Sequence, residues 1–111
     1  MSVSYSKFRE MMLRLPGVEE GTAYGTPIFK IKSRMLARQT EDADIIVIKI
    51  DPALRSTLIE ATDAFFVTPH YIAHPLMLID LKKVGREDLA YLAEQAWRMI
   101  APKKLIAEFD R

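Results

Sequence analysis

The feature that most constrains the fold is the run Ile45-Ile46-Val47-Ile48-Lys49-Ile50, which stays apolar on both of its alternating sides until Lys49. Strands with one solvated face alternate apolar and polar residues, whereas a run that is apolar on both faces is typical of a strand in the middle of a sheet. The polar sequence EDAD at 41–44 predicts a turn before this strand, and Asp51-Pro52 predicts the start of a helix after it. The chain is therefore expected to be built around a central strand.

The neighbouring segments predict further strands and helices. Apolar residues at three- and four-residue steps predict a first helix that ends near Leu15, before Pro16-Gly17, and a long helix over 87–100. A short helical segment is expected at 103–109. The helix after Asp51 is expected to bury Leu54, Leu58, Ile59 and Ala61. Strands are predicted at 27–32, 35–40, 45–50, 65–67 and 76–81, and the segment 18–26 is predicted to be a loop.

This order, α-β-β-β-α-β-β-α, predicts an α+β fold. Short connections between strands favour antiparallel pairing, and helices gathered on one face of such a sheet give a two-layer domain. We therefore expect a single domain over residues 1–111, with an antiparallel sheet of about five strands and helices on one face.

Composition narrows the possible functions. Half of the 111 residues are hydrophobic, which is enough for a core without covalent staples, and the chain has no cysteine. Disulfides, thiolate metal sites and a cysteine nucleophile are thereby excluded. The absence of cysteine fits a reducing cytoplasm. Residues 1–13 lack the apolar core of a signal peptide, and no apolar run reaches membrane-spanning length. The sequence thus predicts a soluble cytoplasmic protein outside the membrane.

Nucleic-acid binding would need a local basic patch, because sixteen basic and fifteen acidic residues give a formal net charge of only +1. Five basic side chains fall on the predicted meander and would form a stripe able to contact phosphates if they emerged on one open face. The alternative is a solvated sheet face with ordinary surface charges. The five candidates are Lys30, Lys32, Arg34, Arg38 and Lys49.

The segment between the last two predicted strands holds His70, Tyr71 and His74. The histidine spacing would suit metal ligation on a helix, but Pro69 and Pro75 argue against a helix, and no cysteine or carboxylate lies nearby. No metal site is therefore expected. With the aromatic ring of Tyr24, these residues could instead contact bases or sugars beside the basic stripe.

No motif predicts an enzyme. The serines and threonines lie outside any nucleophile-elbow context, and the four glycines form no phosphate-binding loop. Pairs of carboxylates lie in turns or in a first helical turn, where solvation and the helix dipole account for them. We expect neither an enzymatic activity nor a cofactor.

The chain resembles the MmcQ/YjbR family through short segments that run in order along almost its whole length. These are Leu15-Pro16-Gly17-Val18, Tyr24-Gly25-Thr26-Pro27-Ile28-Phe29, Lys49-Ile50-Asp51-Pro52, Phe65-Phe66-Val67-Thr68-Pro69-His70-Tyr71, Leu78-Ile79-Asp80-Leu81 and Ala96-Trp97-Arg98-Met99-Ile100-Ala101-Pro102-Lys103. Two departures are visible. Lys32-Ser33-Arg34 stands at a turn where glycine is expected, and Tyr24 stands where the family often has tryptophan.

The resemblance implies an α+β fold described as CyaY-like or secretion-chaperone-like, and families of this kind are commonly described as DNA-binding. An acidic iron-binding ridge of the frataxin type is not implied, because the first helix has only Glu10 among Lys7, Arg9 and Arg14. Our leading hypothesis is a non-enzymatic domain that binds DNA weakly through the basic sheet face and the 69–75 loop. A protein-interaction or homodimerisation module that uses the apolar residues of 65–81 is the competing hypothesis, and a small-molecule pocket under the loop is a third.

Overall fold

The structure, a computed structural model, describes residues 2–111. Its helices are α1 (Tyr5–Arg14), α2 (Pro52–Ala61), α3 (Arg86–Ile100) and α4 (Lys103–Phe109). Its strands are β1 (Glu19–Ala23), β2 (Thr26–Ile31), β3 (Arg34–Gln39), β4 (Ile45–Lys49), β5 (Phe65–Phe66) and β6 (Leu76–Asp80). The strands form one antiparallel sheet in the order β1-β2-β3-β4-β6-β5, so the predicted α+β class is confirmed.

Local sequence signals set the ends of the helices. The Ser4 side chain accepts a hydrogen bond from the Lys7 amide at 3.0 Å at the start of α1, and Asp51 caps α2 in the same way with the Ala53 amide. Pro52 occupies the first turn of α2, where a missing amide hydrogen leaves no helical bond unmade. Gly17 takes the left-handed conformation, with φ at +79°, just after α1.

All four helices pack on one face of the sheet, as predicted. Phe8 and Met12 of α1 and the apolar stripe of α3 are buried in the main core cluster, together with alternate residues of β2, β4 and β6. Leu54, Leu58 and Ile59 of α2 and Leu105 and Ile106 of α4 are partly buried against the same cluster. None of the helices within residues 2–111 is both long enough and apolar enough to cross a bilayer.

The sheet has six strands where the sequence predicts about five, because β1 lies inside the segment predicted to be a loop. Its residues are EEGTA, which carry no apolar alternation, and β1 pairs only with β2 at the edge of the sheet. An edge strand with an exposed face needs few apolar residues, so the pattern that predicts inner strands is missing there. The element order is corrected accordingly to four strands between α1 and α2, with the predicted short helix α4 present at the C-terminal end.

The predicted buried face of α2 is also corrected. Leu54, Leu58 and Ile59 are only partly buried and Ala61 is exposed, whereas Arg55 is the buried residue of this helix. The reason lies in the tertiary packing, because α2 lies near the edge of the sheet beside β5. There the Arg55 side chain donates hydrogen bonds to the segment that leads into β6.

Two hairpin turns depend on positive φ angles. Tyr24 (φ +53°) and Gly25 (φ +81°) form the two-residue turn between β1 and β2, which is the type I′ geometry that suits the twist of paired strands. Lys32 (φ +57°) takes the left-handed conformation between β2 and β3, at the turn where the family resemblance implies glycine. Both non-glycine residues adopt these angles at a cost in backbone energy.

Candidate functional site

The sheet face opposite the helices carries one row of side chains across five strands. The register pairs Ile28 with Arg38, Arg38 with Val47, Val47 with Leu78, and Leu78 with Phe66. Directly opposed residues point to the same side of a sheet, so Arg38 lies among apolar neighbours on this face. Val47, Leu76 and Leu78 are buried there and form a second, smaller apolar cluster.

The segment 67–75 covers this second cluster, and Tyr71 is the residue that packs on it. Thr68 accepts hydrogen bonds through its carbonyl group from the amides of Tyr71 and Ile72, which folds the segment into a helical turn. The guanidinium group of Arg38 donates a hydrogen bond to the Tyr71 hydroxyl group, and the ring of His70 meets the Tyr71 ring edge-on at 4.7 Å between centroids. Tyr71 thereby contacts both Arg38 of the sheet and His70 of its own segment.

Arg55 holds the same segment from the other side. Its Nη1 donates to the carbonyl oxygens of His74 at 2.7 Å and Leu76 at 2.9 Å, and its Nη2 donates to that of Ile72 at 3.2 Å. The side chain is 9% exposed, and in the described chain it has no carboxylate partner within 4.0 Å. Three backbone acceptors therefore satisfy a buried cation and fix the path of the loop.

A groove of about 420 Å³ opens at the end of the sheet beside this loop. Its floor includes Arg38 and Leu78, and its sides come from the β1–β2 turn, the β3–β4 turn and the 67–75 segment. The remaining lining residues are Tyr24, Thr26, Thr40, Glu41, Asp42, Thr68 and Tyr71. The groove therefore combines two tyrosine rings, three threonine hydroxyl groups, one cation and two carboxylates.

The predicted basic side chains divide into three groups. Lys30 and Arg38 lie on the open face. Strands β2 and β3 pair Ile28 with Arg38 and Lys30 with Met35, and a bulge at Leu36 between the two pairs keeps both cations on the same side. Lys32 and Arg34 lie at the β2–β3 hairpin end, where Arg34 pairs with the core residue Ile31 and the left-handed Lys32 interrupts the strand alternation. Lys30 also lies opposite Glu19 of β1. One continuous stripe of five cations on a single face is therefore not formed.

Lys49 forms the third group, on the open face by register but outside the groove. It pairs at the end of β4 with Leu76, a member of the open-face cluster, and it also lines a separate cavity of about 360 Å³ with Leu54, Tyr91 and Met99 of the helix layer. His74 is likewise not brought into the groove; its carbonyl group accepts a hydrogen bond from Arg55 and its side chain is exposed. Within residues 2–111 no three His, Cys, Asp or Glu side chains are grouped as metal ligands.

The ion pairs join α1 to β1, join the loop before β5 to the loop after β6, and lie on α1, on α3 and between α3 and the end of α4. A hydrogen bond to Glu20 raises the pKa of Arg9, and one to Asp63 raises the pKa of Lys83. Hydrogen bonds to Asp110 and Glu94 raise the pKa of Arg98, and the same guanidinium group lowers the pKa of Asp110. In the described part of the chain, none of the five predicted cations of the meander has a carboxylate within 4.0 Å.

Sequence reasoning missed Arg55 and the polar lining of the groove. Arg55 directly follows Leu54 and stands three residues before Leu58, so it borders the apolar stripe of a short helix. That position was the available signal that the arginine side chain is buried. Thr26, Thr40 and Thr68 carry no such signal, because they meet only when three separate turns come together.

Comparisons with known proteins agree with this fold. The sequence model of the YjbR family matches residues 13–99. Uncharacterised proteins of Mycobacterium bovis (Mb2600) and Mycobacterium tuberculosis (Rv2570) are each 30% identical over 92 residues, which is 78% of this chain and 71% of theirs. The crystal structure of Deinococcus radiodurans protein DR2400, a DUF419 domain protein, superposes with a TM-score of 0.78 at 23% identity over 91% of this chain and 80% of that one. The predicted resemblance is confirmed, and the chain belongs to the YjbR family.

Proposed function

We propose that this YjbR domain is a non-enzymatic DNA-binding module that contacts phosphates through the β2–β3 hairpin. Lys30, Lys32 and Arg34 would neutralise phosphates, Arg38 would support Tyr71 from the floor of the groove, and His70 and Tyr71 of the loop would contact sugar or base. The cysteine-free composition fits a cytoplasmic location for such a domain.

The observation that carries the proposal is positive charge without ion pairs on one hairpin of the described chain. From Thr26 to Thr40 the chain has four basic residues and no acidic one. The cations that do form ion pairs, Arg9, Arg14, Lys83 and Arg98, all lie outside β2 and β3. Cations without a carboxylate partner remain able to replace the counterions of a phosphate backbone.

The loop supplies the second part of the proposed interface. Tyr71 is held against the sheet by Arg38 and by the apolar cluster, so its ring is fixed before any ligand arrives. His70 is exposed next to it, at the edge of its ring. Rigid aromatic side chains next to cations are typical of surfaces that bind single-stranded nucleic acids.

Fluorescence anisotropy with labelled duplex and single-stranded oligonucleotides at low salt tests the proposal. We expect weak binding that falls as salt rises, with a slope that reports the number of phosphate contacts. The double variant Lys32→Ala/Arg34→Ala should bind more weakly and lower that slope by about 1.5, since each lost phosphate contact removes ~0.7–0.9.

The matched control is Lys103→Ala/Lys104→Ala, which removes the same charge from exposed positions on α4. It should bind nearly as the unmodified protein does. Absence of binding to every oligonucleotide, or equal losses in both double variants, would contradict a hairpin-specific DNA site.

A protein-interaction or homodimerisation module is the second candidate, favoured by Ile72. This side chain is 56% exposed in the loop whose neighbouring Tyr71 is packed, so it offers apolar surface on a fixed support. Light scattering across a concentration range discriminates the two: a mass that rises with concentration and returns to the monomer value in Ile72→Ser supports self-association.

A further inference from the structure

We propose that the groove beside Tyr71 holds one unpaired base of a single DNA strand and prefers a base with an exocyclic amino group. This inference rests on the proposed DNA-binding function and assigns the groove a role distinct from that of the cationic hairpin. The groove would read the base, and the hairpin would contact phosphates of other nucleotides.

The first argument is the position of Tyr24. Its side chain is 97% exposed at the two-residue turn between β1 and β2, with a φ of +53°. Asn-Gly and Gly-Gly are the sequences that this turn favours, so a tyrosine here costs backbone energy and gains no packing within the chain. A ring that is exposed at the mouth of a groove gains contacts when a planar base stacks on it.

The second argument is that the opposite side of the groove is already organised. Tyr71 packs on Val47, Leu76 and Leu78 and receives a hydrogen bond from Arg38. The segment that carries Tyr71 is held by the three hydrogen bonds from Arg55. A base that enters the groove would therefore meet a fixed wall and pay little to order it.

The third argument is charge. Arg38 is the lone cation of the groove lining, while Glu41 and Asp42 supply two carboxylates from the β3–β4 turn. Asp42 accepts a hydrogen bond from the Asp44 amide through Oδ1 only, which leaves Oδ2 available. Two carboxylates disfavour a phosphate but accept hydrogen bonds from an amino group such as N4 of cytosine. The groove therefore suits a base edge and not the backbone.

The fourth argument is separation. Thr26 lines the groove and Lys32 lies at the opposite end of β2, six residues further on. At about 3.3 Å per residue this places the two regions on the order of 20 Å apart. The base in the groove and the phosphates on the hairpin would belong to different nucleotides, so a strand of several nucleotides is needed to reach both.

Anisotropy with decamers of dC and dT and with a duplex of the same length tests the inference. We expect the single strands to bind more tightly than the duplex, because paired bases cannot enter the groove, and dC to bind several-fold more tightly than dT. Tyr24→Asn removes the ring but keeps a favoured Asn-Gly turn, and it should weaken single-strand binding about tenfold without changing the salt slope. Glu41→Gln combined with Asp42→Asn should reduce the preference for dC.

Tyr91→Asn is the matched control, since Tyr91 is also exposed but lies on α3. Equal binding of duplex and single strands, together with binding by Tyr24→Asn that matches the control, would overturn the groove inference. If Lys32→Ala/Arg34→Ala still binds weakly in that case, DNA binding through the hairpin stands. If none of the three probes binds, both proposals are overturned. Amide chemical-shift changes confined to residues 30–34 on adding the dC decamer would also overturn the groove inference.

Discussion

At the residue scale, Arg55 determines the geometry of the loop that carries Tyr71. We expect Arg55→Met to lower the free energy of unfolding by about 3 kcal/mol, because three carbonyl groups lose a charged donor while the apolar stem is retained. Urea denaturation measures this loss, and hydrogen exchange at the amides of Ile72 and His74 should show faster opening. Arg86→Met, at an exposed position, is the control, and equal stability of the two variants would show that Arg55 does not support the loop.

At the element scale, α4 is held to the rest of the domain by Leu105 and Ile106 against the core and by polar and aromatic contacts at its C-terminal end. Arg98 donates to both carboxylate oxygens of Asp110, at 2.9 and 2.6 Å, and Phe109 meets Trp97 at 4.9 Å between ring centroids. Trp97 is fully buried and donates through Nε1 to the Pro16 carbonyl group at 2.8 Å. The fluorescence of this one tryptophan therefore reports on the docking of α4.

Acid should loosen α4. The pKa of Asp110 lies below its ordinary value of 3.8 because Arg98 hydrogen-bonds to the carboxylate, so the undocked helix binds the proton more readily than the docked one. The stabilising contribution is complete above about pH 5 and is lost as the pH falls through 3.8 towards the lowered folded value. We expect a change in Trp97 emission over that range in the native protein. Asp110→Asn should show the altered emission already at neutral pH. The control Glu108→Gln should titrate like the native protein. Identical acid titrations of the native protein and both variants would contradict the role of the ion pair.

At the scale of the whole molecule, the central strand is buried from both sides, although helices cover only one face of the sheet. Ile48 lies in the cluster beneath the helices, and Val47 lies in the cluster beneath the 67–75 segment, and both are fully buried. We expect Val47→Ala to lower the free energy of unfolding by about 2 kcal/mol, as a core truncation would. Val67→Ala makes the same change at a partly exposed site and should cost less than half as much in thermal or urea unfolding. Similar losses would mean that the loop does not shield the sheet.

The fold was largely predictable because its signals are local. Periodic apolar residues place α1, α3 and the inner strands within a few residues, and Asp51-Pro52 places the start of α2. Strand β1 escaped prediction because an edge strand can be built from EEGTA without a buried face. The geometry of the candidate site followed less from the sequence: Tyr71 contacts both Arg38 and His70, whereas Lys32 and Arg34 lie at the far hairpin end, and Arg55 was missed.

By itself, the sequence determined the α+β class, the central strand and the family, because apolar periodicity, capping and short ordered motifs are carried by neighbouring residues. Only the tertiary structure decided which polar groups share a surface. Arg38 and Tyr71 are 33 positions apart, and they meet through strand register, a bulge at Leu36 and a loop fixed by a buried arginine. Register and loop path depend on contacts between distant segments, so the groove exists only once the sheet has formed.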